Sequence, residues 1–471
     1  MKSVAITEQG RHTLSEIFSQ PQCWNACLAK LASSPELRAA AQLARPGAEW
    51  IFVGCGTSYY LAQTAAAAFN DLNLSARAVP ASELLMYPGL TLHAGRDYIP
   101  VVISRSGRTS EAVRAARMLE KDSNLRTIAI TCADGQPLEP VCSVTLKLLD
   151  ADEQSTVMTR SFTSMLLGLQ YLAATVSGND VFRRALLELP QQVEPLLKDV
   201  PQRLRLFVES RTFSDFVFLA QGLLFGIASE CMLKVTESSC SYAQVFHSLE
   251  FRHGPKSIAD SNVLIAFVMS ETSYDAEVEV LEEMKALGAA TLVIANRIDS
   301  RAQRAADFTV ELGLTSPETA RLAAFVIWGQ LYGCLLYTSP NLVGNPNAKP
   351  CIPGTLFNTC AFLNNSTQGT FGDAPRNDII GPGYITWDTS LVKQFSISEN
   401  KRLEFRAEFF NILNHVNYLF GQFGAISAEP TPLELDPNNI NTLANPQLSS
   451  FGYPLAARAP RQIQFALKFY F

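Results

Sequence analysis

From Trp50 to Asn296, apolar runs of strand length alternate with long Ala/Leu-rich helical runs. Trp50–Val53 enters the turn GCGTS and leads to the helical run Tyr59–Asp71. Tyr98–Ser104 enters RSGRTS and leads to the run Ser110–Lys121, with a further strand at Arg126–Thr131. The order returns as strand Phe216–Ala220, helix Leu224–Glu237, strand Val263–Ser270, helix Asp275–Leu287 and strand Thr291–Asn296. Such alternation implies parallel sheets covered by helices on both faces. The expected fold class is α/β, with two doubly wound three-layer αβα domains at 46–190 and 191–333, arranged as an internal duplication. Residues 1–45 read as a helical segment packing across the pair.

Beyond about Gly333 the texture changes. Asn occurs 7 times in residues 1–339 and 15 times in the shorter piece 340–471. Apolar residues now fall at every second position, as in Leu403, Phe405, Ala407, Phe409 and in Ile463, Phe465, Leu467, Phe469, Phe471. Ile385, Trp387, Thr389, Leu391 and Lys393 follow the same spacing. Period two puts alternate residues on one face of a strand. Pro/Asn/Gly-rich stretches such as NLVGNPNAKPCIPGT and AEPTPLELDPNNINTLANPQ separate these segments as loops. Residues 341–471 are therefore expected to be β-rich, with five or six strands, and 334–340 to be the junction.

Composition narrows the function. A net charge of -6 with no cluster of Lys or Arg argues against nucleic acid as a partner. The five histidines are scattered and no CxxC pair occurs, so neither a metal nor another cofactor is expected. The start MKSVAITEQGRHTLSE lacks the apolar segment of an export signal. The longest nearly apolar runs are read at 163–176 and 216–228, short of the ~20 residues that span a bilayer. Ten cysteines without a disulfide-like framework suit a reducing compartment. A cytoplasmic location, with no membrane for the front part, is the expectation.

In doubly wound sheets, ligands bind beyond the carboxyl ends of strands, against helix N-termini. Thr57 and Ser58 in GCGTS stand at one such turn, and Ser104, Ser106, Thr109 and Ser110 crowd another around Gly107. A nest of N–H and O–H donors at a positive helix end suits a phosphate. Helix capping by the same hydroxyls is the competing reading. Further on, Glu230, Lys234 and Glu237 fall at i, i+4 and i+7, on one helical stripe. Spacing alone fits a solvated Glu–Lys–Glu face. The nearly apolar Leu224–Leu233 argues instead for a buried helix, where charges must be paired or functional.

The segments FVGCGTSYYLA, ISRSGRTSEA, STVMTRSFTSML and ASECMLKVTESSCSYAQVFHSLEFRHGPKSIAD carry a specific resemblance. In order over residues 10–333 they resemble the isomerase half of glucosamine-6-phosphate synthase, a double sugar-isomerase (SIS) protein. They also resemble the tagatose/galactosamine-6-phosphate isomerase-deaminase group, to which FRHGPKS is the closer match. The resemblance implies that Thr57, Ser58, Ser104, Ser106 and Thr109 hold a sugar phosphate. Arg105 stands where the synthase has Gln and Arg108 where it has Glu, adding positive charge beside an anion.

Aldose–ketose interconversion needs a base that moves a proton between C1 and C2, and a carboxylate made more basic by burial can serve. By the resemblance, Glu237 is that base, Lys234 and Glu230 orient it and bind sugar hydroxyls, and His253 opens the ring. That histidine comes from a neighbouring subunit in the family, so a homodimer or larger homo-oligomer is implied. There is no N-terminal cysteine nucleophile and no glutaminase domain, so glutamine-driven amination is not expected. An isomerase or deaminase acting on an aminosugar or ketose 6-phosphate is the leading expectation, and a non-catalytic phosphosugar sensor the alternative.

Residues 341–471, and GDAPRNDIIGPGYITWDTSLVKQF with LEFRAEFFNILNHVN in particular, resemble the last strands of a TonB-dependent outer-membrane receptor. The join CLLYTSP resembles translated sequencing-adapter read-through. The tail is accordingly expected to be foreign to the front, a chimeric sequence, with an outer-membrane receptor fragment as a third reading. The family's own tail, which closes over the sugar and carries a lysine, would begin where this segment starts, so an impaired active site is expected.

Overall fold

The computed structural model gives two five-stranded parallel sheets with the same strand order. It describes residues 8–336 apart from 212 and 240, and beyond them 341–342, 344–345, 347–350, 358, 362–363, 383, 385–417, 457 and 460–471. The first sheet contains β1 (Glu49–Gly54), β2 (Ala76–Pro80), β3 (Tyr98–Ile103), β4 (Ile128–Thr131) and β5 (Val144–Lys147), in the order β2-β1-β3-β4-β5. The second contains β6 (Asp215–Ala220), β7 (Tyr242–His247), β8 (Val263–Val268), β9 (Ala290–Ala295) and β10 (Phe308–Glu311), in the order β10-β9-β8-β6-β7. Counted from each domain's first strand, both orders are 2-1-3-4-5, so the expected duplication is present in topology. Every residue of β3, β8 and β9 is buried, as strands covered on both faces require.

Two departures from the expected boundaries have plain causes. Helix Asp180–Val193 runs straight through residue 190, because Phe182, Ala185, Leu186, Leu189 and Val193 form one buried stripe. The last helix, Leu322–Leu336, continues past 333, since Cys334 and Leu335 complete its buried surface. With the short turn before it, this helix spans 318–336 and is apolar enough to cross a membrane by length and composition. It is instead the enclosed core helix of residues 10–337, which form one compact unit. The apolar runs at 163–176 and 216–228 are thus not the longest, because the helical run 322–336 holds only Gln330 as a strongly polar residue. The expected helix at Ser110–Lys121 is α-helical only to Arg117 and ends in a wider π turn, Met118–Asp122.

Helix Phe225–Ser239 follows β6 and lies between helix Thr57–Asp71 of the first domain and helix Leu322–Leu336 of the second. The close approach depends on small residues. A Cβ at Gly226 would sit 2.9 Å from the Thr64 backbone nitrogen and 3.0 Å from the Tyr60 carbonyl oxygen. On the opposite side, Gly333 lets Lys234's carbonyl within 2.8 Å of where its own Cβ would be. The helix is therefore enclosed on both flanks, and Glu230 and Lys234 of its polar stripe face protein. The N-terminal helices pack against helix Arg160–Ser177, where Trp24 Nε1 donates to Thr163 Oγ1 at 2.8 Å. Gln20 donates to Gln330 Oε1 at 3.0 Å, tying this segment to the second domain's last helix.

Residues 338–471, with the first nine, form a second compact unit. Among the described residues its long strands number three: Thr389–Ser398, Lys401–Phe410 and Gln462–Tyr470, paired antiparallel in that order. A two-residue antiparallel pair joins Asn341–Leu342 to Phe362–Leu363. Register places Leu391, Phe395, Leu403, Phe405, Phe409, Ile463, Phe465, Leu467 and Phe469 on one face, with Gln394, Glu404, Arg406 and Glu408 on the other. The period-two reading is met within the three strands, whereas Ile385 and Trp387 precede the first of them and Phe471 follows the last. The apolar face is open, Phe465 being 67% exposed. Other strands expected in the tail, and the stretch AEPTPLELDPNNINTLANPQ, lie outside the described residues.

Candidate active site

In the 2-1-3-4-5 order the sheet's direction of winding reverses between the first and third strands, which opens a crevice at their carboxyl ends. In the first domain that crevice is bounded by the turns after β1 and β3, where GCGTS and SRSGRTS fall. Gly54 has no room for a side chain, since a Cβ would overlap the Ser58 carbonyl. The first turn therefore closes tightly onto helix Thr57–Asp71, with Thr57 and Ser58 buried in its first turn.

The capping reading fails at both turns. Gly56 precedes the first helix and offers no side-chain cap, while the Thr57 hydroxyl accepts from Lys234 Nζ at 3.1 Å. Thr109 precedes helix Ser110–Arg117 but makes no side-chain cap. Its hydroxyl instead lies 3.2 Å from that of buried Ser104. Elsewhere in the chain, Ser34, Asn179 and Asp299 do cap their helices, so the difference is local. Ser106 Oγ accepts from the Arg108 backbone nitrogen at 3.3 Å.

The two arginines are held differently from the expectation. Arg105 Nη1 donates to the Ser155 carbonyl at 3.1 Å and lies 3.5 Å from Glu153, whose side chain is fully enclosed. Arg108 Nε donates to Gln136. Each guanidinium is drawn toward a neighbouring loop by an acceptor that spacing within the motif does not reveal. Glu153 also accepts from the Thr159 backbone nitrogen at 2.6 Å, while Glu16 accepts from the Gln154 and Ser155 nitrogens at 2.7 and 3.3 Å. These two carboxylates fix the loop that carries STVMTRS beside Arg105. The sequence carries one faint signal for them, an acidic residue six positions before Thr159, which precedes helix Arg160–Ser177.

Glu230 and Lys234 are 0% and 1% exposed, so the solvated-stripe reading is excluded. Lys234 Nζ lies 3.3 Å from Glu230 Oε1 and also pairs with Glu237. The Glu230 contact is an ion pair without hydrogen-bond alignment, and both its carboxylate oxygens lack a hydrogen bond. Burial pushes the Glu230 carboxyl up to about 7, against the opposing pull of Lys234. Burial draws the Lys234 ammonium down, but the two carboxylates more than offset it, and its proton is held more tightly than in water. Glu237 was expected to be the buried carboxylate; its side chain is 38% exposed, because it lies near the open end of the stripe. The buried one is Glu230. A protonated amine flanked by one enclosed and one accessible carboxylate can hold a hydroxyl or carbonyl oxygen and pass a proton at the accessible end.

His253 lies in the short turns after β7, exposed, with its backbone nitrogen bonded to the Glu250 carbonyl at 3.0 Å. Among the described residues its ring makes no hydrogen bond to Glu230, Lys234 or Glu237. The chain thus brings together Thr57, Lys234, Glu230 and Glu237 at one point and Ser104, Ser106 and Thr109 at the neighbouring turn, and leaves His253 on a separate loop.

Comparison with known proteins agrees with this architecture. The chain is 28% identical over 369 residues to a D-galactosamine-6-phosphate deaminase of Shewanella sp. strain ANA-3, covering 74% of this chain and 91% of that protein. It is 26% identical over 327 residues to a glutamine–fructose-6-phosphate aminotransferase (isomerizing) of Pyrobaculum aerophilum, covering 67% of this chain but 52% of that protein. It therefore spans about half the aminotransferase's length. The fold matches the crystal structure of tagatose-6-phosphate ketose/aldose isomerase from Escherichia coli at a TM-score of 0.61 and 20% identity, over 70% of this chain and 94% of that one. A family model described as an outer membrane beta barrel domain matches residues 328–464. The SIS domain model matches residues 45–175 and 214–337, more than half of the sequence, and the chain belongs to the SIS domain family.

Proposed function

We propose that this chain binds a hexose 6-phosphate, with the phosphate at the turns after β1 and β3, and acts on it as a ketose/aldose isomerase or aminosugar-phosphate deaminase. The observation that carries the reading is the Lys234–Thr57 hydrogen bond, which sets the Glu230–Lys234–Glu237 stripe against the first domain's hydroxyl-lined turn. The deaminase relative, matched over 91% of its length, supports the same class.

In this reading Ser104, Ser106, Thr109, Thr57 and Ser58 donate to the phosphate, and Arg105 and Arg108 supply positive charge at its edge. Glu237, the accessible carboxylate, takes the proton from C2 of the open-chain sugar and returns one at C1. Lys234, kept charged by Glu230, holds the developing oxyanion. His253 serves ring opening from an adjacent subunit, which makes the active form at least a dimer. The reading includes a cytoplasmic location and no bound cofactor. The tail is foreign to the SIS parent: within the described residues its sheet has open edges and a bare apolar face, which an isolated fragment cannot satisfy in water. Amplification of the 334–340 junction from source DNA as one product would refute that part.

The catalytic claim is tested by incubating the chain with D-galactosamine 6-phosphate and with D-glucosamine 6-phosphate, reading ammonia and ketose phosphate. Product formation abolished by Glu237→Gln is the expected result. Binding of both sugars with no product from either, also when residues 1–333 are joined to the C-terminal tail of an SIS relative, would assign the chain to phosphosugar sensing.

A further inference from the structure

The second sheet repeats the first sheet's strand order, so it has its own crevice between the ends of β6 and β8. The turn after β8, Met269–Ser273, corresponds in the order to the turn after β3 that carries Ser104–Thr109. This second position is already filled. Glu277, in the first turn of helix Tyr274–Ala286, is fully buried there and bonded to three donors. Ser248 Oγ donates to it at 2.6 Å, Ser273 Oγ at 2.9 Å and the Ser270 backbone nitrogen at 3.1 Å. None of these partners is a cation. An enclosed carboxyl group whose partners among the described residues are neutral donors costs stability, so its presence calls for a role in geometry.

That role follows from which elements the donors belong to. Ser270 and Ser273 lie in the turn from which Glu277's own helix springs, whereas Ser248 is the first residue after β7 and begins the loop that carries His253. The same helix grips the loop again one residue before His253. Arg252 Nε donates to both Glu283 carboxylate oxygens at 3.1 Å, and the guanidinium also approaches Glu279 at 3.8 Å. Between these contacts, Phe251 is fully buried in the second domain's core. On its other side the loop is tied to the start of helix Phe225–Ser239. The His247 ring stacks on Phe225 at 3.8 Å between centroids, with its Nδ1 3.1 Å from Gln221 Oε1.

We propose that Glu277 and Glu283 form a two-point clamp that sets the position of His253, making them positioning residues, with the Glu277 carboxyl group occupying the crevice whose counterpart the first domain leaves for its ligand. The inference rests on the proposed function, in which His253 reaches the sugar. It assigns the two crevices different tasks: the first holds the substrate, and the second anchors the loop that works on it. The second crevice, filled by the protein itself, takes no second sugar phosphate.

The test uses the full chain and three variants, Glu277→Ala, Glu283→Gln and Ser248→Ala, the last keeping the buried carboxylate should Glu277→Ala fail to fold. The first readout is amide exchange. Peptides spanning 248–258 are expected to exchange about tenfold faster in each folded variant, with β8 and β9 unchanged. Unchanged exchange in 248–258 across the folded variants would overturn the clamp. The second readout is acylation of His253 by diethyl pyrocarbonate, followed by peptide mapping with His247 as internal reference. Glucitol 6-phosphate, an open-chain hexose analogue, is expected to slow acylation at His253 at least about fivefold in the wild type. The variants are expected to lose that protection while binding the analogue within about threefold of wild-type affinity. Protection retained in the variants would overturn the positioning role. Absence of protection in the wild type would show instead that His253 does not reach the sugar, which overturns the reading beneath the inference and, with it, the positioning claim.

Discussion

Lys234 Nζ, on the central helix of the second domain, lies 3.1 Å from Thr57 Oγ1 at the first turn of the first domain. One enclosed ammonium therefore joins the hydroxyl-lined crevice to the carboxylate stripe, and the site exists only when both domains are packed together.

That arrangement makes Lys234 strongly coupled to Glu230. Lys234→Met removes the cation from a carboxylate that is already fully buried, and is expected to destabilise the chain by about 3–5 kcal/mol. Combining it with Glu230→Gln removes the unpaired charge, and more than half of the loss should return. Urea unfolding of both singles and the double closes the cycle, and additive effects would contradict the coupling.

The packing that encloses the pair depends on Gly226. Gly226→Ala drives a methyl group toward the backbone of Tyr60 and Thr64, neither of which can give way as a side chain could. The expected cost is about 1–3 kcal/mol. Because the same displacement separates Lys234 from Thr57, hexose phosphate affinity should fall in parallel. Calorimetric titration showing full affinity in a destabilised variant would separate the two effects.

Glu277 predicts a pH dependence. Burial pushes its carboxyl up to about 7, with the Ser248, Ser273 and Ser270 donors opposing the rise. Between the ordinary carboxylate value and about 7 the folded chain holds a proton that the unfolded chain has released. The folded state then binds more protons, so this group's contribution to stability declines as pH rises through that window and is constant above it. Glu277→Gln does not titrate. The stability of the wild type relative to the variant should fall by on the order of 3 kcal/mol between pH 4.5 and pH 8. A difference that stays flat with pH would contradict the assignment.

Much of this architecture is legible in the amino-acid sequence. The strands at β1, β3, β4, β6, β8 and β9 announce themselves as short apolar runs, because parallel strands covered on both faces are apolar throughout. β2 was not marked, since its Ala76, Arg77 and Ala78 are only half-buried at the sheet's edge. β7 was not either, where Tyr242 is 63% exposed. In the tail, period two located the three long strands and their shared apolar face. The stripe Glu230–Lys234–Glu237 was legible as a candidate, yet which carboxylate is enclosed was not. That depends on Gly226 and Gly333 letting helices from other parts of the chain close over one end of the stripe. Glu153, Glu16 and Glu277 escaped notice for a similar reason: their donors come from loops that only the tertiary fold brings near.

The central claim is that a sugar phosphate is held at the turns after β1 and β3, beside Lys234. Calorimetric titration with a hexose 6-phosphate tests it most directly, comparing the wild type with Ser104→Ala in the first crevice and Ser273→Ala in the second. The account predicts that Ser104→Ala weakens binding about tenfold or more and that Ser273→Ala stays within about twofold. Equal affinity in the Ser104 variant, or a loss confined to the Ser273 variant, would contradict it.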